Sequence, residues 1–188
     1  MTSKSFENEF IEVYDFKGQK TGKKALKSIV HEKGLFHSTV HLWIFTKYGE
    51  ILIQKRSLNK ILNPGVWDVS VAGHVASGET VLEGATREIA EEIGLSVKPE
   101  DLDLISVRKN VNKFSNGIID AEFQHVFLCE LTVSIEALRI QKEEVDAVRL
   151  FSFEELKKCQ AHKHPDFSIV PADMEYYTFI MHAINDKL

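Results

Sequence analysis

Three glutamates, Glu88, Glu91 and Glu92, stand at i, i+3 and i+4, a spacing that gathers their carboxylates on one flank of a helix. Like charges at that spacing oppose helix formation, and only Arg87 lies close enough in sequence to offset them. A divalent cation resolves the conflict: hard oxygen ligands suit Mg²⁺ or Mn²⁺, ions that bridge one or two carboxylates to phosphate oxygens. A solvated acidic face is the alternative, because glutamate is a good helix former. Asp120 and Glu122 form a second acidic pair, two residues apart and so on one face of a strand; an ordinary solvent-facing strand is its alternative. Lys55 and Arg56 close a predicted strand and offer a point charge and a forked donor to phosphate, or else are plain surface cations. Trp67 and Phe114 have faces on which a base would stack, but aromatic residues belong more often to cores, and no base pocket is assigned.

These residues need elements to hold them. Thr80 and Glu83 form a capping-box signal and Gly94 a stop, so the glutamates belong to a helix of about three turns whose buried stripe is expected at Leu82, Ala85, Ile89 and Ile93. Ahead of it, Phe10 to Asp15 and Lys20 to Gly22 flank a Lys17-Gly18 turn, which predicts an N-terminal β-hairpin within about 9–30. His37 to Phe45 and Ile51 to Lys55 flank Tyr48-Gly49-Glu50 and predict a second, central hairpin. A loop over Asn59 to Gly65 precedes a strand-like run from Trp67 to Ala72. Beyond the helix, strands are expected over Leu102 to Arg108, Ile118 to Val133 and Val145 to Phe151, with Phe123, Val126 and Leu128 in the core. Ser152 with Glu155 starts a further helix, and Pro171 a C-terminal helix over about 171–186. Alternating strands and helices point to a layered α/β (α+β) fold.

The chain has 188 residues with 44% hydrophobic content, sufficient for one domain over 1–188 with a core of its own. Its two cysteines, Cys129 and Cys159, make no disulfide framework or zinc pair and suit a reducing, cytoplasmic setting. No signal-like core opens the chain and no run approaches a membrane span, so neither secretion nor a membrane partner is expected. A net charge of -5 gives no general attraction for polyanions; bulk nucleic-acid binding is excluded, and phosphate must be gripped locally or through a metal.

From Gly73 to Leu95 the residues run Gly73, five others, Glu79, seven others, Arg87-Glu88-Ile89-Ala90-Glu91-Glu92-Ile93-Gly94-Leu95. This resembles the Nudix box at every defining position. With each residue type used at roughly 6%, a chance match is on the order of 10⁻⁷. The resemblance implies a Nudix-type α/β/α sandwich with a mixed sheet, a loop-helix-loop metal site, and Mg²⁺ or Mn²⁺ acting on a small-molecule diphosphate. It implies further that Glu91 and Glu92 are metal ligands, that Glu88 is a ligand or the base that activates water, that Arg87 and Glu79 are an orienting pair, and that Gly73 offers its backbone carbonyl. The stretch from His37 through Gln54-Lys55-Arg56-Ser57, Pro64-Gly65, Trp67 and Gly73-His74 is similar to the isopentenyl-diphosphate isomerase branch. That similarity implies a second metal set at His31, His37, His74, Asp120 and Glu122, with Glu122 also available as a base.

Ala72 falls where that branch carries its catalytic cysteine, and a methyl group moves no proton. The complete set of box glutamates, by contrast, is what a hydrolase needs. The expected activity is therefore metal-dependent hydrolysis of a nucleoside diphosphate linked to a further group. Isopentenyl-diphosphate isomerase-like activity and a non-catalytic nucleotide-sensing domain are the alternatives. Substrate choice lies in loops such as Asn59 to Gly65 and Arg108 to Asn116, which carry no readable code. The N-terminal hairpin and C-terminal helix offer surfaces for a homodimer.

Overall fold

In the computed structural model, which describes residues 9–164 and 167–188, the elements run in chain order as follows. First come β1 (Phe10–Tyr14), β2 (Lys20–Leu26), α1 (Lys27–Lys33), β3 (His37–Phe45), β4 (Ile51–Arg56), β5 (Trp67–Asp68) and β6 (Val71–His74). Then follow α2 (Val81–Ile93), β7 (Asp103–Lys113), β8 (Ile119–Glu130), β9 (Val145–Phe151), α3 (Phe153–Gln160) and α4 (Met174–Asn185).

Strands β1 and β2 pair with each other, and the rest form a seven-stranded sheet ordered β5-β4-β3-β8-β7, with β6 on β3 and β9 on β4. The sheet is mixed: β3 and β8 run parallel, from His37 opposite Glu122 to Phe45 opposite Glu130, while β3–β4, β3–β6, β4–β9 and β7–β8 are antiparallel. Period-two alternation along β3 divides its side chains between two cores. Trp43 and Phe45 pack with Leu156 of α3 and Tyr176, Tyr177 and Ile180 of α4. Val40, Leu42 and Ile44 pack instead with Ala85, Ile89 and Ile93 of α2. Helices therefore cover both faces, giving the α/β/α sandwich.

Helix α2 is fixed at both ends. The Thr80 hydroxyl accepts from Glu83 N at 3.2 Å while the Glu83 carboxylate accepts from Thr80 N at 2.7 Å, and Gly94 ends the helix at φ 66°, a conformation that favours glycine. Its buried stripe differs from the expected one in the first turn. Leu82 is 40% exposed, whereas Val81 packs on the α2-side core; four-residue steps from Ile93 through Ile89 and Ala85 lead to Val81.

Three other expectations are corrected. The segment after β2 is helical from Lys27, although its N-cap Leu26 makes no side-chain hydrogen bond, so the chain carries no start signal there. The run from Trp67 to Ala72 is two strands, because Ser70 uses its side chain to cross-link neighbours: its hydroxyl accepts from Ile44 N at 2.7 Å and donates to the Leu52 carbonyl. The C-terminal helix begins after Asp173, whose carboxylate accepts from Tyr176 N at 2.6 Å, a stronger cap than Pro171 provides. Among the described residues, no helix is long and apolar enough to cross a membrane.

Candidate functional site

The β6–α2 loop and the first turns of α2 bring the acidic helix against the sheet. Gly73, on β6, lies directly beneath Glu88: a Cβ added there would stand 2.0 Å from Glu88 Cδ, so only glycine leaves room for this carboxylate. Arg87 braces the group. Its Nε donates to Glu79 Oε1 at 2.7 Å and its Nη2 to Glu79 Oε2 at 3.0 Å, a two-point pairing of the strong, directional kind. Its Nη1 donates to Glu88 Oε1 at 2.9 Å and Glu91 Oε2 at 3.0 Å, and Nη2 also reaches the His74 carbonyl at 2.9 Å. Glu79 in turn accepts from Ala76 N at 2.9 Å. Arg87 holds the Glu79 carboxyl below the usual range.

The three helix glutamates differ in exposure. Glu91 has a half-exposed side chain, Glu88 is largely covered, and Glu92 is only 4% exposed, with its Oε2 accepting from Gln54 Nε2 at 3.0 Å. Burial, and then the neighbouring Glu88, push the Glu92 carboxyl up to about 8; burial also raises Glu88 against the pull of Arg87. Of the two buried carboxyls Arg87 reaches only Glu88, so among the described residues ionised Glu92 has no cationic side chain bonded to it and a bound cation would compensate its charge.

A second cluster forms where α1, the start of β3, the end of β6 and β8 meet. Ligand atoms of His31, His37 and His74 lie within 4.8 Å of one another, as do those of His37, Asp120 and Glu122. The His37 tautomer follows from its partner: Nδ1 lies 3.0 Å from the Leu35 carbonyl, which only accepts, so Nδ1 carries the hydrogen and Nε2 of the neutral ring presents a lone pair. That Nε2 faces Asp120 Oδ1 at 3.5 Å, and both atoms are buried without a hydrogen-bond partner. His31 Nε2 lies 3.2 Å from His74 Nε2 and 3.5 Å from Asp120 Oδ1. Burial lowers both His37 and His74, with the charge of Lys27 reinforcing the shift at His74. Burial, and then Asp120, push Glu122 up to about 8. Converging lone pairs and orphaned buried acceptors fit a cation.

Structure and sequence meet unevenly here. The box residues Gly73, Glu79, Arg87, Glu88, Glu91 and Glu92 are assembled round Arg87 or α2, and the five residues His31, His37, His74, Asp120 and Glu122 are gathered at one place. Lys55 and Arg56 are each committed to an acid: Lys55 Nζ to Asp146 at 3.2 Å, and Arg56 Nη1 to Asp68 at 2.8 Å. Trp67 belongs to the core between the sheet and α3 and α4. Two cations that sequence reading passed over act on the site. Lys27 and Lys60 both bear on His74, and Lys60 also favours ionised Glu92. Lys27 pairs with Glu9 at 3.2 Å and Lys60 contacts Glu144. Neither stands in a motif; their proximity is made by α1 and by the β4–β5 loop.

Comparison with known proteins bears on the family and the fold. The NUDIX domain matches residues 35–172. An uncharacterised Nudix hydrolase of Clostridium acetobutylicum is 36% identical over 84% of this chain and 76% of its own length. An isopentenyl-diphosphate Delta-isomerase of Streptomyces coelicolor is 31% identical over 84% of this chain and 77% of its own. Among solved structures, a Deinococcus radiodurans protein superposes with a TM-score of 0.65 at 18% identity, covering 95% of this chain and 98% of that one, a likeness of fold.

Proposed function

The chain belongs to the NUDIX domain family and is a Nudix hydrolase, and on that premise we propose that it cleaves a nucleoside diphosphate linked to a further group, or a related small diphosphate, by attack of water at phosphorus. The observation that carries this reading is the convergence of Glu88 and Glu91 on one arginine, with Glu92 buried one helical turn on from Glu88 and Gly73 cleared for the Glu88 carboxylate. These carboxylates and the Gly73 carbonyl would hold Mg²⁺ or Mn²⁺, the cations their oxygen donors suit. Such a cation supplies charge neutralisation at phosphate oxygens and acidifies water.

The chain's own residues do the rest. Arg87, anchored two-fold on Glu79, holds Glu88 and Glu91 in register so that little reorganisation is needed during reaction. Glu88, or Glu122 from the sheet side, is the carboxylate that would take the proton of the attacking water. Lys27 and Lys60, paired with Glu9 and Glu144 but close enough to bear on His74, join Lys55 and Arg56 as candidates for phosphate oxygens. The histidine and acid cluster, His31, His37, His74, Asp120 and Glu122, would hold a second ion, and its imidazoles suit Mn²⁺ better than Mg²⁺.

That cluster, with the likeness to isomerases, also favours a second reading in which a prenyl diphosphate is isomerised. Ala72 opposes it: β6 sets Ala72 beside His41 of β3, and its methyl group neither gives nor takes a proton. Kinetics on Glu91→Gln and Glu92→Gln separate the readings. Hydrolysis predicts that metal-dependent turnover falls by about a hundredfold or more with the fold intact; undiminished turnover in both variants would remove the acidic helix from the chemistry.

A further inference from the structure

A line of polar contacts runs from the N-terminus of α4 to Glu122. Asp173, the N-cap of α4, accepts from Arg108 Nη2 at 2.5 Å. The Arg108 guanidinium lies 3.7 Å from the centre of the Tyr176 ring, and its Nη1 donates to Gln124 Oε1 at 3.3 Å. Gln124, 4% exposed, donates from Nε2 to Glu122 Oε2 at 2.7 Å. The middle of this line is held on two sides. Tyr176 is itself held by Trp43, whose Nε1 donates to its hydroxyl at 2.9 Å, and Arg108 sits opposite Gln124 in the β7–β8 register.

The direction of the line is set by chemistry. Arginine has donors and no acceptor, so the Gln124 amide must turn its oxygen to Arg108 and its NH₂ to Glu122. Without that partner only Glu122 would set which way the Gln124 amide faces, and a protonated carboxyl would tolerate either orientation. Oε2 of Glu122 receives this N–H, and a carboxylate oxygen of Glu122 lies within 4.8 Å of ligand atoms of His37 and Asp120.

We propose that Gln124, pinned by Arg108, is a positioning residue that fixes the Glu122 carboxylate so that one oxygen serves the His37 and Asp120 cluster. The proposal rests on the reading that this cluster holds a cation. It also ties the docking of α4 to the metal-binding geometry, since Asp173 and Tyr176 both restrain Arg108. Gln124 touches no reacting atom; it acts through Glu122, as partners behind metal ligands commonly do.

The test is Mn²⁺ titration of the full-length protein, followed by the electron paramagnetic resonance of free and bound ion, with a thermal melt of each variant as the control for folding. Glu92→Gln separates the acidic-helix ion from the cluster ion. Gln124→Leu and Arg108→Met are expected to weaken cluster binding by about ten- to a hundredfold, with melting temperatures within a few degrees of wild type. Arg108→Lys, which keeps a donor for the amide oxygen, restores part of the loss. Wild-type Mn²⁺ affinity in both Gln124→Leu and Arg108→Met, alongside a loss in His74→Ala, overturns the positioning role alone. If His74→Ala changes no Mn²⁺ site, the cluster reading itself fails and takes the proposal with it.

Discussion

A methyl group on residue 73 would land 2.0 Å from Glu88 Cδ, so Gly73→Ala must push that carboxylate off its contact with Arg87. A shift of about 1 Å in a catalytic group costs on the order of a hundredfold in rate. We expect kcat to fall by about that factor in steady-state assays, with the far-ultraviolet dichroism unchanged; near-wild-type kcat would show that Glu88 is not held by this packing. His41 makes a different prediction. Burial lowers it to about 4, below its value of about 6.5 in an unfolded chain, so the unfolded state binds the extra proton between those values. Its neutral form therefore contributes stability above pH 6.5 that is lost as pH falls toward 4. Glu92 and Glu122, raised to about 8, act oppositely in the metal-free protein, stabilising it most at low pH and losing that contribution as pH rises through 8. The His41 effect is therefore read as the difference between wild type and His41→Asn. In urea titrations that difference should shrink on acidification from pH 7 to 4.5; a pH-independent difference contradicts the assignment.

At this scale the sequence was most legible where local spacing sets geometry. Glu88, Glu91 and Glu92 are neighbours because a helix makes them so, and no tertiary information is needed. Lys27 and Lys60 were illegible because segments far apart in the chain bring them to His74. The Gln124 and Arg108 line was hidden for the same reason, since it requires the β7–β8 register.

Elements repeat the lesson with their own signals. Helix α2 was readable from Thr80, Glu83 and Gly94 because caps are local chemistry. Removing the cap by Thr80→Ala should cost about 1 kcal/mol, seen as a melting temperature lower by roughly 2–4 °C; no change would mean that packing alone sets the helix start. Helix α1 was not readable, because Leu26 supplies no cap and the helix is held by docking on β8 and the β1–β2 hairpin. The break between β5 and β6 was equally silent, since a serine in a strand-like run gives no hint that its hydroxyl will serve two other strands. Ser70→Ala would leave the Ile44 N–H and Leu52 carbonyl short of a partner at a fully buried position. Such a loss costs about 1–3 kcal/mol, which denaturant unfolding would register as a lower midpoint at constant slope.

Across the whole molecule, two cores on opposite faces of one sheet explain why the site lies where it does. The α2-side core seats the acidic helix, while the core under α3 and α4 fixes Tyr176 and, through Arg108, the approach to Glu122. The layered α/β arrangement was foreseen from the alternation of strands and helices, and the mixed sheet from the resemblance of the box, but the β3–β8 parallel pairing that joins His37 to Glu122 was not, because pairing partners leave no mark on either strand. A chain of net charge -5 gives no general attraction for polyanions at long range, so on the proposed function a cation held by the carboxylates and a few lysines would grip the substrate. Hydrolysis in ¹⁸O-labelled water tests that account most directly. With Mg²⁺ or Mn²⁺ and a panel of nucleoside diphosphate derivatives and isopentenyl diphosphate, we expect cleavage at a diphosphate linkage, one ¹⁸O in a phosphate of the products, and loss of the reaction in Glu92→Gln. Return of isopentenyl diphosphate as an isomer of unchanged mass, or binding without turnover across the panel, would contradict it.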